Sequence, residues 1–157
     1  MDLDRWVNDN NPDEQLQYGK GWWDYIELIR RLMYKFGAEE AHVVATYRMR
    51  TPPPEEDLLM PAVQFAVGPT EFIVKYDFGV YPERWTVSVK NASSVVRPIL
   101  GLFDDKQDLR GKAIAGFDAE WIHGSYHNDS TRFTCEVHDE WDLSALVRLA
   151  SHQGSCR

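Results

Sequence analysis

Carboxylates and a histidine recur at every second position in two parts of residues 113–140, and their chemical types could support catalysis or metal binding. Apolar residues fill many of the intervening positions, which predicts two strands, each with one buried face and one polar face. Carboxylate and imidazole groups are ligands for hard or borderline divalent ions and also act as acids and bases. The predicted polar face consists of Asp118, Glu120, Glu136, His138 and Glu140.

A turn is predicted at residues 124–130, where glycine, serine, asparagine and aspartate cluster. With the turn centred near Asn128, the two strands form a hairpin that keeps its polar side chains on one side. The loop residues His127 and Asp129, together with Asn128, then adjoin the polar face. This register predicts three opposed pairs, namely Trp121 with Cys135, Glu120 with Glu136, and Asp118 with His138.

A metal ion would relieve the repulsion between two glutamates that face each other on adjacent strands. The weak candidate ligands are Asp118, Glu120, Glu136 and His138. No H-E-x-x-H motif or cysteine pair accompanies them, and the chain has no G-x-S-x-G nucleophile elbow. The pattern leaves open a solvated face, a protein-docking surface and a metal or acid–base site, and it favours a non-catalytic protein without a cofactor.

The chain is acidic, with 25 Asp and Glu against 17 Lys and Arg and a net charge of −8. This balance disfavours nucleic acid and an anionic membrane surface as partners, because both repel a negative protein. The charge is uneven, since residues 1–18 hold five acids and one base, and residues 113–140 hold six acids and one base. A local excess of carboxylates is typical of a surface that docks a basic protein, and a basic protein is therefore the predicted partner.

Two cysteines, Cys135 and Cys156, are too few for a disulfide framework. The sequence has no basic leader followed by an apolar segment, and no apolar run of about 18 residues. These features predict a cytoplasmic protein. Cys135 is expected to pack as a small apolar side chain on the buried face of its strand.

Hydrophobic spacing predicts three helices that would position these residues. Residues 20–36 carry apolar side chains at helical intervals and end at Gly37, which predicts an amphipathic helix with a glycine stop. Residues 91–105 predict a shorter helix, and Asp142 predicts the cap of a third.

Alternating apolar residues predict strands between the helices, and an antiparallel meander joins the last three of them. The result is an α+β fold, with a mainly antiparallel sheet of about five to six strands packed against the long N-terminal amphipathic helix, and with two shorter helices. Residues 19–157 form a single domain in this prediction, and residues 1–18 an acidic, loosely ordered segment. The strands are predicted near residues 42–49, 63–67, 72–78 and 85–89.

Aromatic residues make up 13% of the chain, and two of them are adjacent on the long predicted helix. Trp22 and Trp23 cannot both face the core from neighbouring helical positions, so they are possible interface aromatics.

In size, charge and layout the chain is similar to the small acidic α+β immunity proteins of bacterial toxin systems. This resemblance implies an inhibitor that covers the cationic groove of a toxin, typically a nuclease. The resemblance rests on no shared sequence motif, so it assigns no functional role to any residue of this chain. Two alternatives stay open: a small metal-dependent or small-molecule enzyme that uses the hairpin cluster, and a self-assembling module, such as a homodimer formed through the tryptophan helix or a sheet edge.

Overall fold

An antiparallel sheet dominates the computed structural model. Its described part comprises residues 1–10, 19–50, 57–77, 84–93, 113–114, 117–118, 122–126, 132–137 and 140–151. Three helices occur there, namely α1 (Leu3–Asn10), α2 (Gly19–Phe36) and α3 (Glu140–Ala150). The strands are β1 (Ala41–Arg50), β2 (Asp57–Val67), β3 (Thr70–Asp77), β4 (Arg84–Lys90), β5 (Ala113–Ile114), β6 (Phe117–Asp118), β7 (Ile122–Tyr126) and β8 (Arg132–Val137).

Six of these strands form one sheet in the order β1-β2-β3-β4-β8-β7, with every neighbouring pair antiparallel. β2, β3 and β4 are adjacent in sequence and in space, so the predicted meander is confirmed. β5 and β6 pair with each other in a separate two-stranded sheet. The fold is therefore α+β, as the sequence predicts. None of the described helices is long and apolar enough to cross a lipid bilayer.

One face of the sheet carries the core. β8 shows the alternation, since Phe133, Cys135 and Val137 are buried, whereas Arg132 is exposed. Apolar side chains of α1, α2 and α3 join the buried strand residues in a single cluster, so the helices cover this face. The largest fully buried side chains of the cluster are Tyr25, Phe65, Phe72, Phe133, Leu3, Ile26, Ile29 and Met60.

The amino-terminal segment differs from its prediction, because residues 3–10 form a helix instead of a loose coil. Asp2 caps this helix, and its Oδ2 accepts a hydrogen bond from the Arg5 amide at 3.1 Å. The long helix α2 is therefore the second of the described helices and not the N-terminal one. Three side chains of this segment, at helical spacing, are buried in the core: Leu3, Trp6 and Val7. Their burial stabilises the helix and outweighs the turn-forming composition of the segment.

α2 confirms the predicted helix to within one residue at its start. It ends at Gly37, which has a φ of 74°, and the Ala38 amide donates a hydrogen bond to the Met33 carbonyl at 2.9 Å. Glycine adopts this left-handed conformation without the penalty that a side chain would impose.

Among the described residues, neither of the two shorter helices begins at its predicted position. Asn91 has a φ of 63°, which excludes it from a right-handed helix, so no helix starts there. The remaining residues of that prediction, 94–105, lie outside the described residues, as do residues 11–18. α3 begins at Glu140, so Asp142 lies within its first turn and is not its cap.

A proline interrupts the sheet between β2 and β3. The β2–β3 ladder runs from Val67 and Thr70 to Val63 and Val74 and stops two residues before Pro61, which has no amide hydrogen to donate. Two tyrosine hydroxyls bind the backbone groups at this end of the ladder. The Tyr25 hydroxyl shares its single hydrogen between the Pro61 carbonyl at 2.9 Å and the Val74 carbonyl at 2.7 Å. The Tyr47 hydroxyl donates to the Tyr76 carbonyl at 2.8 Å and accepts from the Tyr76 amide at 2.9 Å.

The predicted hairpin forms in a different register and with a shorter first strand. β7 pairs Gly124 with Cys135 and His123 with Glu136, a shift of three residues from the predicted pairing. Gly124 and its neighbours, predicted as turn residues, belong to the strand. β7 lies at the sheet edge, where a glycine has a strand neighbour on one side only. Asp118 lies opposite Ala113 in the small sheet, so its predicted pairing with residue 138 is wrong.

The buried position of α1 can be tested with Trp6→Ala, which removes an indole that is 5% exposed. We expect the free energy of unfolding to fall by about 3–5 kcal/mol, the usual cost of emptying an aromatic site in a core. Urea denaturation followed by circular dichroism measures it. Asp9→Ala on the same helix is the matched control and should change stability by less than about 0.5 kcal/mol. An unchanged midpoint for Trp6→Ala would contradict the packing of α1.

Tyr25 is the second target, because burial raises the pKa of its hydroxyl, as does the nearby Tyr47, while a hydrogen bond with the Val63 backbone opposes the shift. Tyr25→Phe leaves two carbonyls without their donor, so we expect a loss of about 1–3 kcal/mol at pH 7. Tyr34→Phe, at a side chain that is 92% exposed, is the control.

The same pKa shift predicts how stability changes in alkaline solution. The native hydroxyl stays protonated above the ordinary tyrosine pKa of about 10, whereas the unfolded chain releases this proton. The contribution of Tyr25 to stability is therefore present below pH 10 and falls as the pH rises further. Urea denaturation between pH 9 and 11 should show a smaller loss for Tyr25→Phe than for the unmodified chain. Equal losses would contradict the raised pKa.

Candidate binding surface on helices α2 and α3

The structure describes two of the eight side chains that were predicted to bind a partner. These are Glu136 and Glu140; Asp118 is described by its backbone pairing alone. The predictions for the remaining five fall on residues outside the described part, namely Glu120, His127, Asn128, Asp129 and His138.

Glu136 and Glu140 lie on different elements. Glu136 is partly exposed on β8, where its register partners are Thr86 of β4 and His123 of β7. Glu140 was predicted as a strand residue of the hairpin, but it is the first residue of α3 and faces α2. Among the described residues, no group of three or more His, Cys, Asp and Glu side chains is close enough to hold a metal ion.

Two polar bridges join α2 to α3. Both Nε and Nη2 of Arg31 donate to Oε1 of Glu140, at 3.2 and 3.0 Å. One turn further along α2, Nζ of Lys35 donates to Oγ of Ser144 at 2.8 Å. Glu27 lies 4.0 Å from the same arginine on its own helix. These side chains are spaced along one side of α2, so the helix presents a continuous polar edge to α3.

A groove of about 410 Å³ runs between these two helices. Apolar side chains from both helices line it together with the polar bridges. Such a groove, apolar inside and polar at its margins, has the composition of a protein-binding surface. The described residues that line it are Leu28, Arg31, Leu32, Lys35, Glu140, Trp141 and Ser144.

A smaller cavity of about 210 Å³ adjoins the groove and shares Leu28, Arg31 and Glu140 with it. Its aromatic wall is a stack in which the Tyr76 ring lies 5.8 Å from Tyr25 and 5.0 Å from Trp85, measured between ring centroids. Asp24 of α2 completes the described lining. The indole nitrogen of Trp85 is buried and has no hydrogen-bond acceptor among the residues that the structure describes.

The exposed aromatic residues that the structure describes on α2 and α3 are Tyr34 and Trp141. Trp23 is partly buried and packs against the core, and the side chain of Trp22 lies outside the described part. Trp141, in contrast, is 80% exposed beside the groove, and Tyr34 is 92% exposed on α2. Helical geometry is the sequence signal that could have identified Trp141 as exposed. In a helix that begins at Glu140, Trp141 lies on the side opposite the buried side chains of α3.

A second groove, of about 500 Å³, lies at the carboxyl end of α2. Three carboxylates line it, those of Glu39, Glu40 and Glu71, and no lysine or arginine does so among the described residues. Nε2 of His42 lies 3.5 Å from the Glu40 carboxylate. This acidic groove adds to the negative field of the protein but contains no exposed aromatic anchor in its described lining.

No family model, curated protein or solved structure matches this chain. The class that the fold and surface define is an α+β protein with an antiparallel sheet and a groove between two helices. The function is therefore inferred from the groove and its charges.

The ion pair between α2 and α3 is expected to add little stability, because each side chain is 55% exposed and competes with water. A double-mutant cycle with Arg31→Ala and Glu140→Ala should give a coupling free energy below about 1 kcal/mol by urea denaturation. The pair of Asp4 and Arg30, also exposed, serves as the reference cycle. A coupling of several kcal/mol would show that the pair is a structural requirement of the helix packing.

Proposed function

We propose that this protein is a non-catalytic binding protein that neutralises a basic protein partner. In its most specific form the proposal is an immunity protein that acts in the bacterial cytoplasm and blocks a cationic toxin. The observation that carries the proposal is an indole, Trp141, that is 80% exposed beside an apolar groove. Exposed tryptophans next to apolar grooves are typical anchors of protein interfaces, because the ring buries a large area with little loss of side-chain freedom.

The charges around the groove support a basic partner. Asp24, Glu27 and Glu140 are exposed carboxylates along the α2–α3 edge, and Arg31 is the cation among them. Lys35 lies one turn further along. The chain as a whole carries −8, so its long-range field attracts cationic proteins before contact. Complementary charge raises the association rate, while the buried anchor slows dissociation.

The test begins with capture of a partner from an extract of the source cells, followed by mass identification and purification of that partner. We expect a protein with an isoelectric point above about 9. Binding is then measured by surface plasmon resonance. Trp141→Ala should weaken the affinity by about 30-fold or more, mainly through faster dissociation, because the anchor leaves its pocket empty.

Val44→Ala is the matched control, since Val44 is an exposed apolar residue on β1, away from the groove, and its loss should leave affinity unchanged. Replacing Asp118, Glu120 and Glu136 by lysine tests the hairpin carboxylates in the same assay, and slower association would add that face to the interface. A captured partner that is acidic, or an affinity that Trp141→Ala does not change, would contradict the proposal.

A further inference from the structure

One exposed side of α2 carries four polar side chains in an ordered series. From the amino to the carboxyl end they are Asp24, Glu27, Arg31 and Tyr34, and we call them the α2 stripe. Spacings of three, four and three residues place them on one side of a helix, and all four are exposed. The series therefore begins with two carboxylates, which accept hydrogen bonds, and ends with a guanidinium and a hydroxyl, which donate them.

The α2 stripe has unused capacity for hydrogen bonds. Asp24 and Tyr34 make none with a described residue. Nε and Nη2 of Arg31 donate to Glu140, whereas Nη1 lies 4.0 Å from Oε2 of Glu27, beyond hydrogen-bond distance. Exposed charges alone indicate no partner, but their order along the helix restricts which surface can meet them.

Tyr34 is the second observation that points to an occupant, because its side chain is 92% exposed. A tyrosine ring exposed to this extent leaves a large apolar area in water, and burial in an interface would remove that area. The groove beside Trp141 does not cover the ring, since Leu28, Leu32 and Lys35 line that groove from the adjacent side of α2. A surface that docks on the α2 stripe would bury it.

The α2 stripe is complementary to a second copy of itself in the antiparallel orientation. Two α2 helices can pack in opposite directions about a two-fold axis centred between Glu27 and Arg31. Glu27 then meets Arg31 of the second copy. Further from the axis, Asp24 meets Tyr34 of the second copy, and the symmetry repeats both contacts. A parallel pairing would place each charged residue opposite its own copy, so the charges would repel, and the order of the stripe selects the antiparallel pairing.

We propose that this protein forms a homodimer in which the α2 stripe packs antiparallel against the stripe of a second copy. Glu27 and Arg31 pair across the interface, and the Tyr34 hydroxyl donates to the carboxylate of Asp24. The inference does not rest on the proposed function, because the groove beside Trp141 lies on the flank of the stripe and remains open. One helix on one helix is smaller than a standard interface, so we expect a dissociation constant on the order of 10 μM.

The experiment is sedimentation equilibrium of the full 18.2 kDa chain, which should reach twice that mass as its concentration rises. Concentrations from about 2 to 200 μM bracket the expected dissociation constant. Glu27→Arg places arginine opposite arginine in the dimer, and Arg31→Glu places glutamate opposite glutamate. Each variant alone should therefore dimerise at least about tenfold more weakly than the unmodified chain. Tyr34→Ala should weaken the dimer by a similar factor, because it removes the aromatic ring from the interface.

An equimolar mixture of Glu27→Arg and Arg31→Glu tests the antiparallel arrangement itself. In the mixed pair, both contacts across the interface join an arginine to a glutamate, so a heterodimer should form with an affinity within about threefold of that of the unmodified dimer. Glu40→Arg and Arg132→Glu are the matched controls, since they make the same charge changes at exposed positions outside the stripe. Each control should dimerise as the unmodified chain does, and their mixture should associate no more tightly.

Three results would overturn the inference. They are an unmodified chain that stays monomeric at the highest concentration, a dimer that persists unchanged in both single variants, and a mixture of those variants that stays monomeric. Circular dichroism of each variant separates a lost interface from a lost fold, and the exposed positions of the substitutions predict unchanged spectra. The proposed function is tested separately with Trp141→Ala and a captured partner, so either proposal can fail without the other.

Discussion

Pro61 has no amide hydrogen, and the packing around it follows from that absence. The β2–β3 ladder stops at Val63 and Val74, and two tyrosine hydroxyls from other elements bind the backbone groups at this end of the ladder. Tyr25 does so from α2 and Tyr47 from β1. Because buried backbone groups need hydrogen-bond partners, these bonds fix where α2 lies on the sheet.

The position of α2 then decides which side chains meet α3. With Tyr25 at the ladder end, Arg31 lies opposite Glu140 and Lys35 opposite Ser144. The apolar side chains between these bridges remain beside the groove, where they meet Trp141. Exposed ion pairs contribute little free energy, so the bridges are a result of the packing and do not determine it. The groove thus depends on a hydrogen-bond arrangement in the core.

The same arrangement connects the core to the cavity beside the Arg31–Glu140 pair. Tyr25 stacks on Tyr76, and Tyr76 stacks on Trp85, so the buried tyrosine and the cavity wall belong to one aromatic column. The carboxylates that line the cavity come from two helices, and the aromatic wall comes from a helix and two strands. A pocket built from rigid elements holds its groups in place before a partner arrives, which lowers the ordering cost of binding.

Sequence alone determined the features that depend on local repetition. The period of apolar residues located α2 to within one residue, and the β2–β4 meander followed from strand alternation. The buried residues of β8 were also predictable, because the alternation of buried and exposed side chains along one strand does not depend on which strand pairs with it. The α+β class followed from the order of these elements.

Tertiary structure decided the features that depend on contacts between distant residues. Local composition indicated a loose amino terminus, yet core burial makes α1 a helix. The turn residues indicated one hairpin register, yet the observed register of β7 with β8 is shifted by three residues from it. Glu140 meets Arg31 across 109 positions of sequence, and no local pattern encodes that separation. Periodicity specifies which side of an element is buried, whereas the partner of each exposed side is set by how the elements pack together.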